Sequence, residues 1–495
     1  MKRLCFSAAV ILGLTRMAFA ADASPTTMAP QTPAPATLSA PIACDNAWDF
    51  VTTGCRLSWY GITVYGTVDM GVGWQSHGTP FNTLIPQGVE YLISKNSNRS
   101  LWLPSPNALS QSNIGLKGNE EFAPGWSFIF NLETGFDPFS GNFANGPGSI
   151  AQNAGVPLNA QTSNTDSSRA GQLYNSVGYM GVSSPTFGTL TVFRQNSLTL
   201  DGVIAYDPMG ASYAFSPIGY QGTTCGVGDT EDCRFTTAAK YRVNVGPLRV
   251  GALLQFGGYS LNNAADGAYQ VQLGGDIHDV GGGAVSLDGI YSYVKDAVSI
   301  GLAGNPALGG VPVAPFLPQT LTATISDDTS VMLLAKYATG PLHVYAGYEW
   351  IQYAPPSNPQ TSFTDIAGNF LCLGCTAINN TNISNTAFSP SAGFGDKHLQ
   401  VVWTGIKYGV TDDLDLIGAY YHYYQGSYFT TNCSSQAHAQ CAGTFNAVSA
   451  LVDWRFAPKF DAYGGLMFSQ VNGGLANGYL HHSTVDPTVG LRFRF

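Results

Sequence analysis

The sequence predicts an all-β fold, a 16-stranded antiparallel transmembrane β-barrel narrowed by a long loop folded inward. Three observations carry that reading. Charged residues make up only 11% of the 495-residue chain and glycine reaches 58, against about 25% charged residues and about 7% glycine in ordinary globular domains. Aromatics reach 12%, yet mean hydropathy is only +0.04. Beyond the first twenty residues, no run approaches the ~18 apolar residues of a membrane helix. The apolar residues instead alternate with polar ones, as strands do when one face is oily and the other wet.

The chain opens with a secretory signal over residues 1–20: Lys2 and Arg3, an apolar stretch from Leu4 to Leu14, and the small-residue site Ala18-Phe19-Ala20. Its removal leaves 18 basic against 31 acidic residues, a net charge of −13. That sign excludes a general nucleic-acid binder. Residues 21–56 read as an Ala-, Pro- and Thr-rich linker with Pro25, Pro30, Pro33, Pro35 and Pro41. Its end has room for a small loop closed by Cys44 and Cys55. The barrel is assigned to residues 57–495.

Its first strand is expected in LSWYGITVYGTVDMGVGW, followed by a long loop over about 75–110. Then come SNIGLKGN, the turn EEFAPG and WSFIFNLETGFD. After a long loop over about 138–172 the order is LYNSVGYMGVS, the turn SPTFG and TLTVFRQ. An insert of about 40 residues separates this from FTTAAKYRVNV, a turn at Gly246-Pro247, and LRVGALLQFGG. Nine further strands follow, with tight turns at Thr339-Gly340-Pro341, Thr411-Asp412-Asp413 and Ala457-Pro458-Lys459. An even strand count, with short turns at one end and long loops at the other, is the outer-membrane pattern. A barrel this wide leaves a wet lumen. Trp59, Trp126, Trp350, Trp454, Tyr420 and Tyr421 suit aromatic girdles.

Once Cys5 leaves with the signal, eight cysteines remain in four close pairs: Cys44 and Cys55, Cys225 and Cys233, Cys372 and Cys375, Cys433 and Cys441. Each pair lies within one non-strand segment, which in an exported protein reads as a local disulfide. A metal site at Cys372 and Cys375 lacks a second close pair of ligands, so no metal and no cofactor is expected.

The insert from Asn196 to Arg234 is too long for an ordinary hairpin loop. It holds Asp201, Asp207, Asp229, Glu231 and Asp232 and no lysine, while the flanking strands carry Arg194, Lys240 and Arg242. Strand parity sends Lys240 and Arg242 inward, opposite Tyr241, Val243 and Val245. It does the same for Lys117, beside the lipid-facing Ile114 and Leu116, and for Arg492 and Arg494, opposite Val489, Leu491, Phe493 and Phe495. A cation on the lipid face would cost roughly 2–4 kcal/mol at mid-membrane. Arg194 breaks the alternation, because it falls on the face of Leu190 and Val192. A bulge at Phe193, or a place beyond the apolar band, would resolve this. The functional reading sets Lys117, Arg194, Lys240, Arg242, Arg492 and Arg494 against the five insert acids across a narrow point. The rival reading has the wall cations pairing locally and Asp207-Pro208 shaping a turn.

No enzyme is expected. There is no G-x-S-x-G elbow and no H-E-x-x-H, and the eight His are scattered.

The ordered blocks VYGTVDMGV, SNIGLKGNEEFAPGWSFIFNLETGFDPFSGNF, VGYMGVSSPTFGTLTVFRQ and the terminal VGLRFRF resemble the Gram-negative trimeric general porins, especially the beta-proteobacterial and neisserial type. The resemblance spans residues 57–495. It implies an outer-membrane homotrimer, set in lipid and lipopolysaccharide, through which ions and small hydrophilic solutes diffuse passively. The insert would be its inward-folded third extracellular loop. Residues of about 138–172 would latch a neighbouring subunit, and Phe495 would be the signal read by the barrel-assembly machinery. The chain departs from the family where selectivity is set. Arginines usual just before the strand beginning at Asn113, and in the strand containing Ser176, are absent, and Phe193 stands where the family favours Gly. Anion preference is therefore not carried over, and the acidic insert points to cation preference. A substrate-selective pore and an adhesin or structural barrel are the rival readings.

Overall fold

The computed structural model describes residues 44–77, 100–139, 141, 173–219, 234–261, 265–301, 321–354, 357, 396–428, 433, 441–476 and 479–495. Alternation of side-chain type becomes alternation of exposure along nearly every strand. In Lys397–Thr411, Leu399, Val401 and Trp403 are buried, while Val402, Ile406 and Tyr408 are exposed. The same exposed apolar face recurs at Met70, Leu116, Leu190, Leu273, Leu333, Leu466 and Leu491. Contiguous apolar surface on that scale is incompatible with water and is what a hydrocarbon surround requires.

The strands are β1 (Leu57–Trp59), β2 (Ile62–Gln75), β3 (Leu101–Pro106), β4 (Asn113–Ala123), β5 (Trp126–Gly135) and β6 (Val177–Ser184). They continue with β7 (Gly188–Asn196), β8 (Arg234–Val245), β9 (Leu248–Gln255), β10 (Gly267–Val280), β11 (Gly283–Gly301) and β12 (Leu321–Thr339). The last six are β13 (Leu342–Ala354), β14 (Lys397–Thr411), β15 (Leu414–Gln425), β16 (Gly443–Ala457), β17 (Phe460–Gly473) and β18 (Ser483–Arg494). Every pairing is antiparallel. Sixteen of them, β2 and β4 to β18, form a closed ring, with β18 pairing back onto β2 from Thr488↔Gly73 to Arg494↔Thr67. Closure leaves no strand edge in lipid, where an unpaired backbone group costs several kcal/mol. The last rung is reciprocal: Phe495 N–H donates to Gly66 O, and Gly66 N–H to Phe495 O, both at 3.0 Å. Position 66 favours glycine here, since a Cβ would lie 2.7 Å from the backbone Asn113 O.

Three expectations are corrected and one is met. The run from Leu57 is a hairpin, not one strand: Tyr60 and Gly61 take φ of 46° and 78°, the left-handed pair of a two-residue turn, and β1 folds back on Ile62–Val64. The loop after β2 contains β3, which pairs with Met70–Gln75. The small loop expected at the end of the linker is closed by a Cys44–Cys55 disulfide, and within it Asn46 caps helix α1 (Ala47–Thr52). Tyr421 is not part of a girdle; it is wholly buried on the inner face, whereas Trp59, Trp454 and Tyr420 are exposed outside.

Cys433 and Cys441 are bonded as expected. Cys225, Cys233, Cys372 and Cys375 lie outside the described residues, as do the signal segment and most of 138–172. The conflict at Arg194 is resolved by a bulge. Phe193 takes φ of 83° and the β7–β8 register shifts between Phe193 and Gln195. The extra residue leaves Phe193 on the outer face and turns Arg194 inward, 6% exposed.

Candidate functional site

After β7 the chain enters helix α2 (Leu198–Tyr206), LTLDGVIAY, with one charged residue. A helix apolar all round needs burial on every side, and this one packs against the inner faces of β9 to β13. Ser197 Oγ accepts the Leu200 N–H at 3.0 Å as the N-cap. Leu198 N–H donates to Gln270 Oε1 at 2.6 Å. Gly202 lets the helix approach closely, since a Cβ there would meet Ile290 and Leu334 methyl carbons at 2.9 Å. Trp403 Nε1–H caps the other end, donating to Tyr206 O at 3.1 Å.

Beyond α2 the chain continues along the inner wall. Asp207 accepts from Tyr421 Oη–H (2.6 Å), Met209 N–H (3.2 Å) and Ala211 N–H (2.8 Å). Phe215 meets Tyr463 edge to face at 6.3 Å. Ala214 N–H reaches Ala108 O at 2.9 Å, and Tyr213 Oη–H reaches Gln111 Oε1 at 2.9 Å. The segment joining β3 to β4 is itself held inward by Asp69, whose carboxylate accepts from Leu109 and Ser110 N–H at 2.9 and 2.7 Å and from Tyr463. Residues 196–219 thus meet side chains from one end of the described ring to the other.

Asp201 is the charged group of α2, and its Oδ2 lies 2.9 Å from Lys240 Nζ and 2.5 Å from an Arg242 guanidinium nitrogen. Burial alone would raise this carboxyl, but the two cations more than offset it and hold it below the usual carboxylate range. Asp207 is different. Burial pushes its carboxyl up, and the hydrogen bonds from Tyr421, Ser216 and the turn amides only partly offset that. Its hydrogen bonds from Met209 and Ala211 N–H close the turn at Pro208, and the residue is 3% exposed. Asp229, Glu231 and Asp232 lie outside the described residues.

The wall cations are distributed, not gathered. Lys117 lies over the Tyr65 ring at 4.9 Å. Arg194 donates to Asn175 O and Thr236 Oγ1 at 2.7 and 2.9 Å, away from α2. Arg492 and Arg494 pair with Asp461 at 2.7 and 2.9 Å, and Arg492 also with Asp453 at 3.4 Å. Only Lys240 and Arg242 of the expected cations meet an insert acid in the described residues.

Residues the sequence reading missed complete the site. Tyr206 Oη–H donates to Asp288 at 2.5 Å. Asp288 also pairs with Arg249 at 2.8 Å, and Arg249 with Asp276 at 3.0 Å. Asp415 holds both Lys407 (2.7 Å) and Arg455 (2.6 Å). Parity could have found these, because Asp288 alternates with Ser286, Ile290 and Ser292 on one face. Toward the long loops the inner wall is buried; toward the tight turns Arg242, Arg249, Lys336, His343, Lys407 and Arg455 are partly exposed. The open part of the interior is therefore charge-lined.

A closed barrel with an apolar exterior and a charged interior defines a channel protein of the outer membrane. The chain belongs to the Gram-negative porin family, whose sequence model matches residues 8–370. Solved structures agree in fold. The anion-selective porin from Comamonas acidovorans is 16% identical at a TM-score of 0.53, covering 88% of this chain and 99% of its own. The outer membrane channel DcaP of Acinetobacter baumannii is 12% identical at 0.50, covering 88% and 99%. OmpT, an outer membrane protein of Vibrio cholerae, is 13% identical at 0.50, covering 89% and 100%. No curated protein matches in sequence.

Proposed function

We propose that the protein is a passive diffusion channel for ions and small hydrophilic solutes, narrowed by residues 196–219 acting as the third extracellular loop folded into the barrel. The observation that carries this is Asp201 held between Lys240 and Arg242, which fixes α2 against the wall with its charges at the edge of the open interior. From that triad the polar lining continues along the inner wall to the partly exposed Tyr65, Lys117 and Glu133, where the Tyr65 hydroxyl lies 2.7 Å from Asn131 and 2.9 Å from Glu133. Opposed charges across a narrow point orient dipolar solutes and set ion preference.

The ground for cation preference weakens, because Asp201 is outnumbered by its own cations. The reading now favoured is weak selectivity. A homotrimer in lipid and lipopolysaccharide, delivered by the assembly machinery through Phe495, completes the proposal. Single-channel recording in planar bilayers tests it. Three equal conductance steps support an open trimer; a silent, correctly folded protein would favour an adhesin or structural barrel. Reversal potentials in a KCl gradient give the selectivity.

A further inference from the structure

We propose that Lys336, His343, Tyr345 and Lys407 form a subsite on the tight-turn half of the inner wall that binds the phosphate or carboxylate group of a solute in transit. The proposal deepens the channel reading and rests on it.

Backbone register places the four side chains together. His343 is directly opposite Lys407 across β13–β14, and Tyr345 is directly opposite Lys336 across β12–β13. Facing pairs have Cβ atoms about 5 Å apart and diagonal neighbours about 7–8 Å apart; Lys336 and Lys407, two strands apart, flank the central His343 and Tyr345, and their long side chains reach inward toward a small anion seated there. All four share the inward face, alternating with the exposed Leu333, Ile406 and Tyr408. Opposite Tyr345 on the other side is Gly405, which carries no side chain. Pro208 roofs that gap, at 2.6 Å from where a Cβ would be. The insert therefore forms one wall of the recess.

The charge balance separates this patch from the rest of the wall. Arg242, Arg249, Arg455, Arg492 and Arg494 each have a carboxylate within 3.0 Å. Lys336 has none among the described residues; it lies over the Tyr206 ring at 5.6 Å. The nearby Asp288 is already taken by Arg249, Gln272 and Tyr206. Lys407 shares Asp415 with Arg455, one carboxylate for two cations, while on the Lys336 side Arg249 holds both Asp276 and Asp288, so the surplus of positive charge lies at the Lys407 end of the patch. Neither the His343 ring nor the Tyr345 hydroxyl has a hydrogen-bond partner among the described residues; His343 stacks on Tyr345 at 6.5 Å. An oxyanion between the two lysines accepts from lysine, imidazole and phenol donors together, and charge-assisted hydrogen bonds of this kind are the strong ones.

The test is isothermal titration of the detergent-solubilised full chain with inorganic phosphate and, separately, with citrate. Saturable binding is expected, weakened at least tenfold in Lys336→Gln and further in Lys336→Gln/Lys407→Gln, with Lys295→Gln at the wild-type value. Phosphate alone binding identifies a phosphate subsite, and citrate alone a carboxylate one. No saturable binding of either, or binding indifferent to Lys336→Gln, overturns the proposal. Lys336 has no ion-pair partner to orphan among the described residues, so the single variant keeps the test valid if the double variant fails to fold. Bilayer recordings separate the two readings: a silent protein that binds phosphate loses the channel, and a conducting one that binds neither anion loses the subsite.

Discussion

Tyr421 and Asp207, 214 residues apart, are joined by a 2.6 Å hydrogen bond that ties β15 to the segment leaving β7. The hydroxyl is wholly buried and the carboxylate nearly so. Removing a donor from a buried carboxylate costs about 1–3 kcal/mol. Tyr421→Phe should lower the thermal unfolding midpoint of detergent-solubilised protein and raise open-channel noise as residues 207–219 loosen. An unchanged midpoint and quiet traces would show that the segment is held by packing alone.

Neutralising Asp201 should make the channel prefer anions more strongly. In Asp201→Asn, Lys240 and Arg242 lose the carboxylate they share. A unit charge about 8 Å from a passing ion changes its energy by about 0.5 kcal/mol in a water-like dielectric, roughly a twofold change in permeability ratio. Reversal potentials in a KCl gradient read that change directly. A shift toward potassium would contradict the placement of the triad beside the passage.

The same residue fixes a pH dependence. Asp201 is held below its ordinary range, so its contribution to stability is complete above the unfolded value of about 3.9 and is lost as pH falls through the lower folded value. The gap in unfolding midpoint between wild type and Asp201→Asn should be constant near neutrality and close only in strong acid. Asp207, pushed upward by burial, works in the opposite sense. Its protonated form is favoured in the fold, a contribution complete below about 3.9 and lost as pH rises through the raised folded value. Asp207→Asn should therefore lose less stability at neutral pH than the number of its hydrogen bonds would indicate.

At the closure of the ring, Gly66→Val should block assembly. A Cβ there would meet the Phe495 ring at 2.6 Å and the backbone Asn113 O at 2.7 Å, and the Asn113 carbonyl cannot yield without disturbing the β2–β4 ladder. Heat-modifiable gel migration of refolded protein reads this. Folding at the wild-type yield would mean that closure does not depend on the Gly66–Phe495 rung.

Helix α1 should act as a clasp on that closure. Phe50 packs against Phe493 and Phe495 at 6.0 and 5.8 Å, and Lys459 lies 3.9 Å over the Phe50 ring. In Cys44→Ser/Cys55→Ser the ring of the loop opens, which relieves at most about 3 kcal/mol of constraint on so short a segment. Limited proteolysis should then cut within residues 44–56 and leave the barrel intact. Resistance equal to wild type would mean the aromatic contacts alone hold α1.

The strands were legible because lipid outside and water or polar side chains inside impose a period of two. That is why Lys240, Arg242, Arg492 and Arg494 could be assigned to the inner face from parity alone. The turn at Tyr60-Gly61 escaped notice because its aromatic flanks continue the strand pattern, and β3 because prolines at 104 and 106 argue against a strand. Arg194 needed a bulge that parity can demand but not locate.

The order of charges along the chain by itself determined which side chains line the interior, since a misplaced cation would face hydrocarbon. Only the tertiary structure decided which of them meet. Asp201 and Lys240 are 39 residues apart and Asp207 and Tyr421 are 214 apart. Such pairs are set by how the ring closes and where α2 packs against it, and no local pattern encodes a distance across a barrel.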